Sequence, residues 1–171
     1  MLISEAYRAQ QQELHRNANY GVASSQYAPW VHGVIADYGA TEVLDYGAGK
    51  GRLGEALFLA GYKGDYRPYD PAIPYWADEP QPAEMVACID VLEHIEPELL
   101  DDVLDDLQRV TCRVGAFTVH TGPAKKVLSD GRNAHLTQRP VAWWCNKLEQ
   151  RFRVVRAEEA GHAGLFVVEA L

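Results

Sequence analysis

No stretch of this chain approaches the ~18–20 consecutive apolar residues needed to span a bilayer. Met1 to Arg16 holds no apolar run long enough for a signal peptide. Cysteine is scarce. Cys88, Cys112 and Cys145 are an odd number without C-x-x-C spacing, which argues against a disulfide framework or a zinc ribbon and fits reduced thiols in the cytoplasm, with Cys88 in the core. Repeats and low-complexity tracts are absent. Net positive charge is missing too. A formal charge of −8 disfavours sequence-independent nucleic-acid binding, which rests on neutralising phosphates.

What remains is a globular composition. With 171 residues, 47% of them apolar, the chain can bury one core, within the usual range of about 100–200 residues per domain. The charge is uneven. Residues 65–106 hold 13 acids and one base, Arg67, whereas residues 123–156 hold eight bases and two acids. The basic stretch reads either as an ordinary solvated face or as a local welcome for an anionic small molecule, with Lys125 and Arg132 as candidates.

Strand and helix patterns alternate. Glu5–Arg16 and Tyr27–Tyr38 read as helices, the second with Pro29 in its first turn. Strands are expected near 42–46, 65–69, 85–89 and 114–120, with a helix over about 51–60 and another from Pro97 to about Val110 on a Leu99, Leu100, Val103, Leu104, Leu107 stripe. A helix over 140–150 precedes a closing antiparallel pair at 152–157 and 165–170. Pro71, Pro74, Pro80 and Pro82 argue against a full strand and helix between 71 and 84. The expected fold is a single three-layer α/β domain over 1–171 with a mostly parallel, Rossmann-like sheet. Residues 1–38 would form a helical cover and 42–171 the sheet core.

Ligands in such sheets bind beyond the carboxyl ends of the strands, so the junction Val43–Gly54 is the first candidate. An apolar strand runs into a glycine turn and then a helix, which can bring backbone N–H groups close to a ligand. A P-loop fails here, because Leu44 and Gly51 stand where a glycine and Ser or Thr are required. Gly49, Gly51 and Gly54 match G-x-G-x-x-G, with Asp70 about twenty residues on, so an NAD-type site stays open. Asp45, Gly47, Gly49 and Gly51 equally fit an S-adenosylmethionine loop. A carboxylate at Asp45 suits a cofactor that carries an ammonium and a sulfonium and would repel a pyrophosphate.

The segment Asp90-Val91-Leu92-Glu93-His94-Ile95, after a second apolar run, resembles the class I S-adenosylmethionine-dependent methyltransferases. Tyr69-Asp70-Pro71 resembles the end of their second strand, where an acid holds the ribose hydroxyls. The three segments stand in family order and spacing, from about Glu42 to the C-terminus. The chain looks like the compact methyltransferases of bacteria and phages. The resemblance implies S-adenosylmethionine as cofactor, held by Asp45, Tyr46, Gly47, Ala48, Gly49, Gly51, Asp70, Pro71, Asp90 and Val91. It also implies an N-terminal segment covering the cofactor, while the prolines at 71–82 leave the family's third strand short or missing here. Tyr20 and Gly21 are lid candidates, the alternative being a plain turn between helices.

If the chain turns helical after Ile89, Asp90, Glu93 and His94 share one face. This is similar to the E-x-x-E-H arrangement of small-RNA terminal 2'-O-methyltransferases and ubiquinone-pathway O-methyltransferases, with Asp90 in place of the first Glu. In the former a later histidine completes a divalent-metal site, a place His135 matches. The resemblance thus implies Asp90, Glu93, His94 and His135 as ligands for magnesium or manganese. Without metal, His94 or His135 is the candidate general base, with Glu93 beside them. The D/N-P-P-Y/F run of base-methylating enzymes is absent, so the expected acceptor is a small or exposed molecule, methylated at oxygen or nitrogen. A nucleic-acid 2'-hydroxyl, and cofactor binding without methylation by a lyase or accessory subunit, stay open.

Overall fold

The computed structural model describes residues 1–171. Two helices, α1 (Glu5–His15) and α2 (Ala28–Tyr38), precede the sheet. The chain then runs β1 (Glu42–Tyr46), α3 (Arg52–Leu59), β2 (Asp65–Tyr69), β3 (Ala83–Ile89), α4 (Leu100–Val110), β4 (Thr111–His120), α5 (Val141–Leu148), β5 (Phe152–Ala160) and β6 (Ala163–Ala170). The six strands lie in the order β2-β1-β3-β4-β6-β5. The β1–β2, β1–β3 and β3–β4 pairs are parallel, and β6 lies antiparallel to both β4 and β5. Between β2 and β3 there is only a single 3-10 turn, Pro74–Trp76, so the proline-dense segment contributes no strand and β2 is the sheet edge.

The sheet is buried on both faces because its middle strands are largely apolar on both sides. Along β3, Val86 and Cys88 face one way, into a core with Leu44, Leu104, Leu107, Phe117 and Trp144. Met85, Ala87 and Ile89 face the other way, against α2 and α3 through Val31, Val34, Leu53 and Leu57. The period of two in a strand sorts these neighbours onto opposite faces. Helix α4 delivers Leu100, Val103, Leu104, Leu107 and Val110 to the first core, each leucine contributing roughly 1.5–3 kcal/mol by burial.

The structure departs from the sequence pattern in three places. Helix α4 starts at Leu100 rather than Pro97. The Glu96 carboxylate is held by the Ser4 amide and hydroxyl (2.9 and 2.6 Å), and residues 96–99 close a turn through Leu99 N–H to Glu96 O (2.8 Å) first. The C-terminal hairpin is longer than 152–157 and 165–170, because pairing continues to Ala160↔Ala163 around a two-residue turn, Gly161-His162. After β3 the chain makes a 3-10 turn over Leu92–His94 rather than an α-helix. Asp90 takes a left-handed φ of 60°, so Asp90, Glu93 and His94 do not share one helical face.

Candidate functional site

The chain leaves β1, goes out to β2, and returns to β3 on the other side of β1. This reversal opens a crevice at the carboxyl ends of β1 and β3. A cavity of about 890 Å³ occupies it, large within the range of about 300–1,000 Å³ for small-molecule sites.

The glycine turn forms one wall. Gly47 has φ 83° and a Cβ there would lie 2.5 Å from Val91 Cγ2, so only glycine lets the two strand ends meet. Four amides of the turn are already occupied. Gly47 and Ala48 N–H donate to Tyr69 O (2.8 and 2.9 Å), Gly49 N–H donates to Asp70 Oδ2 (2.9 Å), and Gly51 N–H donates to Ala48 O (2.8 Å). Asp70 Oδ1 accepts from Ala72 N–H (2.9 Å). Each Asp70 oxygen therefore keeps one lone pair for a ligand. The Trp76 ring stands against Gly51.

Asp45 does not face the cavity. It lies on the α3 side of β1, 2% exposed, and accepts a hydrogen bond from the Tyr66 hydroxyl. Burial pushes its carboxyl up to about 7, against the pull of the Tyr66 hydrogen bond. Tyr46 points to the opposite face, where its hydroxyl donates to Asp106 (2.8 Å). Gly51 sits behind Trp76. These three cofactor candidates thus shape the loop from outside the cavity, whereas Tyr20, Gly47, Ala48, Gly49, Asp70, Pro71, Asp90 and Val91 line it.

The end of β3 supplies the second wall. Asp90 N–H donates to Thr118 O and Oγ1 (3.2 and 3.0 Å). Glu93 turns inward and is fully buried. Its Oε1 accepts from His120 N–H (2.5 Å), and its Oε2 has no partner. Burial first, then the Asp90 carboxylate, drives the Glu93 pKa well above its ordinary value. His94 Nδ1 lies 2.9 Å from Ala134 O, and His135 Nδ1 lies 2.7 Å from Gly122 O. A carbonyl only accepts, so both rings carry their proton on Nδ1 and present a bare Nε2. Burial lowers His94 to about 4. Glu93, His94 and His135 can each offer one ligand atom within 4.8 Å of the others; Asp90 is not in that set.

The N-terminal segment roofs the crevice. Ile3 and Tyr7 pack with Ala72, Leu128 and Ala134. The Tyr7 hydroxyl donates to His94 O (2.7 Å). Lys50, in the glycine turn, donates to Asn17 O and Tyr20 O (2.6 and 2.5 Å), pinning the link that follows α1. The Tyr20 hydroxyl donates to Gln11 Oε1 (2.9 Å). Tyr20 and Gly21 both line the cavity, as do His15, His120 and His162, so five of the six histidines in the chain meet in one cavity. Sequence reasoning missed His15 and His162. The signal for His162 was its place in the Gly161-His162 turn, whose tip lies beside His120 at the end of β4.

No protein-family model matches the chain, and no curated protein matches it in sequence. Solved structures do match. The 1,6-didemethyltoxoflavin-N1-methyltransferase of Burkholderia thailandensis, solved with 1,6-didemethyltoxoflavin and S-adenosylhomocysteine bound, is similar at a TM-score of 0.70 and 16% identity, over 99% of this chain and 91% of that one. The magnesium protoporphyrin IX methyltransferase of Synechocystis PCC 6803, with S-adenosylhomocysteine bound, gives 0.63 and 15% over 97% and 94%. The methyltransferase domain of a bacterial Hen1 gives 0.64 and 15% over 84% and 97%. At such identities the likeness carries the fold: this sheet and its flanking helices are those of the Rossmann-like class I methyltransferases.

Proposed function

We propose that the cavity binds S-adenosylmethionine and that the chain transfers its methyl group to an oxygen or nitrogen of a small or exposed acceptor. The observation that carries this reading is the closed glycine turn. The amides of Gly47, Ala48, Gly49 and Gly51 are bonded within the protein, so these four are not offered to the phosphates of a dinucleotide. What faces the ligand instead is Asp70, with a free lone pair on each oxygen for ribose hydroxyls, and Asp90, an acid facing a cationic cofactor. The fold shared with methyltransferases solved with S-adenosylhomocysteine supports the same assignment.

Methyl transfer asks little chemistry of the protein, since the sulfonium is already a leaving group. The site has to align the nucleophile, exclude water and accept a proton. The bare Nε2 atoms of His94 and His135 are placed for the last task. Incubation with methyl-labelled S-adenosylmethionine and a panel of small hydroxyl and amine acceptors tests the reading. Label transfer is the expected result. Cofactor binding with no transfer to any acceptor class would favour a non-methylating protein.

A divalent cation is a second reading, favoured by the unpartnered, fully buried Glu93 Oε2 beside two imidazoles whose Nδ1–H groups are fixed on carbonyls. That is how metal-binding histidines are usually oriented. Magnesium or manganese would be held by Glu93, His94 and His135, with Asp90 nearby, and would supply Lewis acidity toward an acceptor hydroxyl. Turnover that falls in excess chelator and returns with manganese supports it. Full turnover in excess chelator leaves His94 or His135 as the base.

A further inference from the structure

The charged and ionisable groups on the crevice wall change sign along the sheet. In strand order, its floor passes Asp70 beyond β2, Gly47 and Gly49 beyond β1, Asp90 beyond β3, His120 at the end of β4, and His162 at the β5–β6 tip. Both acids lie in the β2–β1–β3 half. The other half holds His120, His135, His162, Lys125 and Lys126, with no carboxylate lining it. Lys125 and Lys126 lie in the loop after β4 and are the only lysines or arginines on the cavity wall. Neither is in an ion pair, whereas Arg132 on the same loop is bound to Asp130 at 2.8 Å. Two unpaired lysines facing one cavity are notable in a chain whose net charge is −8.

The histidines sort by role as well. His120 Nδ1 lies 3.1 Å from both the N–H and the carbonyl of Gly122, so its ring proton can sit on either nitrogen, and Nε2 donates when it sits there. His94 and His135 are fixed by their carbonyl partners, with the proton on Nδ1 and Nε2 as an acceptor. The His120 ring lies 4.8 Å from His135 and 5.7 Å, stacked, from His162. The two lysine cations and a ring able to donate therefore lie at the β4–β6 end, and proton acceptors lie between them and the cofactor half.

From this juxtaposition we infer that the acceptor is a small molecule bearing an oxyanion, a carboxylate or a phosphate, which docks on Lys125, Lys126 and His120 while its nucleophilic hydroxyl or amine lies toward His94 and His135. The inference rests on the methyltransferase reading for the word acceptor; the anion site itself stands on the charge layout alone. One nucleophile and one oxyanion on the same molecule would span the two groups of histidines. Opposite charges at the two ends would also orient a cationic cofactor and an anionic acceptor head to head, and would speed capture of both at low salt. A polyanion is a poorer fit, because two lysines neutralise few phosphates and the rest of the surface is acidic.

The probes are benzoate, inorganic phosphate and neutral benzamide, titrated into the intact protein at constant ionic strength with and without S-adenosylhomocysteine. Binding is followed by calorimetry and by the histidine ring signals in NMR. Benzoate and phosphate should bind saturably and move the His120 and His162 signals, with benzamide at least tenfold weaker. The Lys125→Ala/Lys126→Ala protein should lose at least tenfold in affinity for both anions while keeping its S-adenosylhomocysteine affinity. Lys125→Arg/Lys126→Arg should restore anion binding. Equal binding of benzamide and benzoate, no saturable anion binding, or no effect of the double alanine substitution overturns the inference. So does a short single-stranded RNA that binds at this end far more tightly than either small anion. Anion binding without S-adenosylhomocysteine binding would remove the methyltransferase reading and leave the anion site; the reverse result would do the opposite.

Discussion

Replacing Asp45 by Asn should stabilise the protein at alkaline pH and do little at acidic pH. The carboxyl is 2% exposed and its partner is one tyrosine hydroxyl, so ionising it in the folded state is costly. Its folded pKa of about 7 lies above the ordinary 3.8. Between these values the folded state binds more protons than the unfolded state, so stability falls as pH rises. The contribution is complete below 3.8 and lost above about 7. At about 1.4 kcal/mol per pH unit the whole window amounts to about 4 kcal/mol. The larger part of it, about 3 kcal/mol, lies between pH 5 and the folded pKa. Asn keeps the acceptor for Tyr66 without the charge. Urea denaturation of both proteins at pH 5 and pH 8 should show the Asn protein gaining about 3 kcal/mol on the native one over that interval. Because the carboxyl lies off the cavity wall, S-adenosylhomocysteine affinity should change less than about threefold, below the ~1.5 kcal/mol of a lost charged hydrogen bond. A stability gap that does not vary with pH, or one that closes at pH 8, would refute the placement of Asp45. A large loss of cofactor affinity would return it to the cavity.

Other outcomes follow from the same geometry. Asp70→Ala removes the acceptor of Gly49 and Ala72 N–H together with the proposed contacts to the ribose. S-adenosylhomocysteine affinity, read by calorimetry, should fall at least about tenfold, in line with ~1.5–3 kcal/mol for a charge-assisted bond. Lys50→Met frees the Asn17 and Tyr20 carbonyls, so amide exchange over residues 17–22 should speed about tenfold with little change in global stability. Glu93→Gln should abolish any dependence of turnover on manganese; dependence that survives in this variant would exclude Glu93 as a ligand.

The frame of the molecule was legible because its signals are local. The apolar run of β3, the leucine stripe of α4 and the proline cluster at 71–82 each dictate their outcome from neighbouring residues. Helix and strand ends were harder, since tertiary contacts decide them: the start of α4 depends on Ser4 reaching Glu96, ninety-two residues away. The site split along the same line. Gly47, Gly49, Asp70 and Asp90 reach the cavity as their place after strand ends suggested. Asp45 did not, because strand alternation put its side chain under the loop rather than over it. The relation of Glu93 to Asp90 was misjudged because one left-handed residue, Asp90, broke the helical spacing. His162 joins the site through sheet order, with β6 beside β4, which no local pattern records.

The central claim is that this crevice takes S-adenosylmethionine rather than a phosphate-bearing nucleotide. Calorimetry of the purified chain with S-adenosylhomocysteine and with NAD, side by side, tests it most directly. Saturable one-to-one binding of S-adenosylhomocysteine and none of NAD is the predicted result. Tight NAD binding with no response to S-adenosylhomocysteine would contradict it.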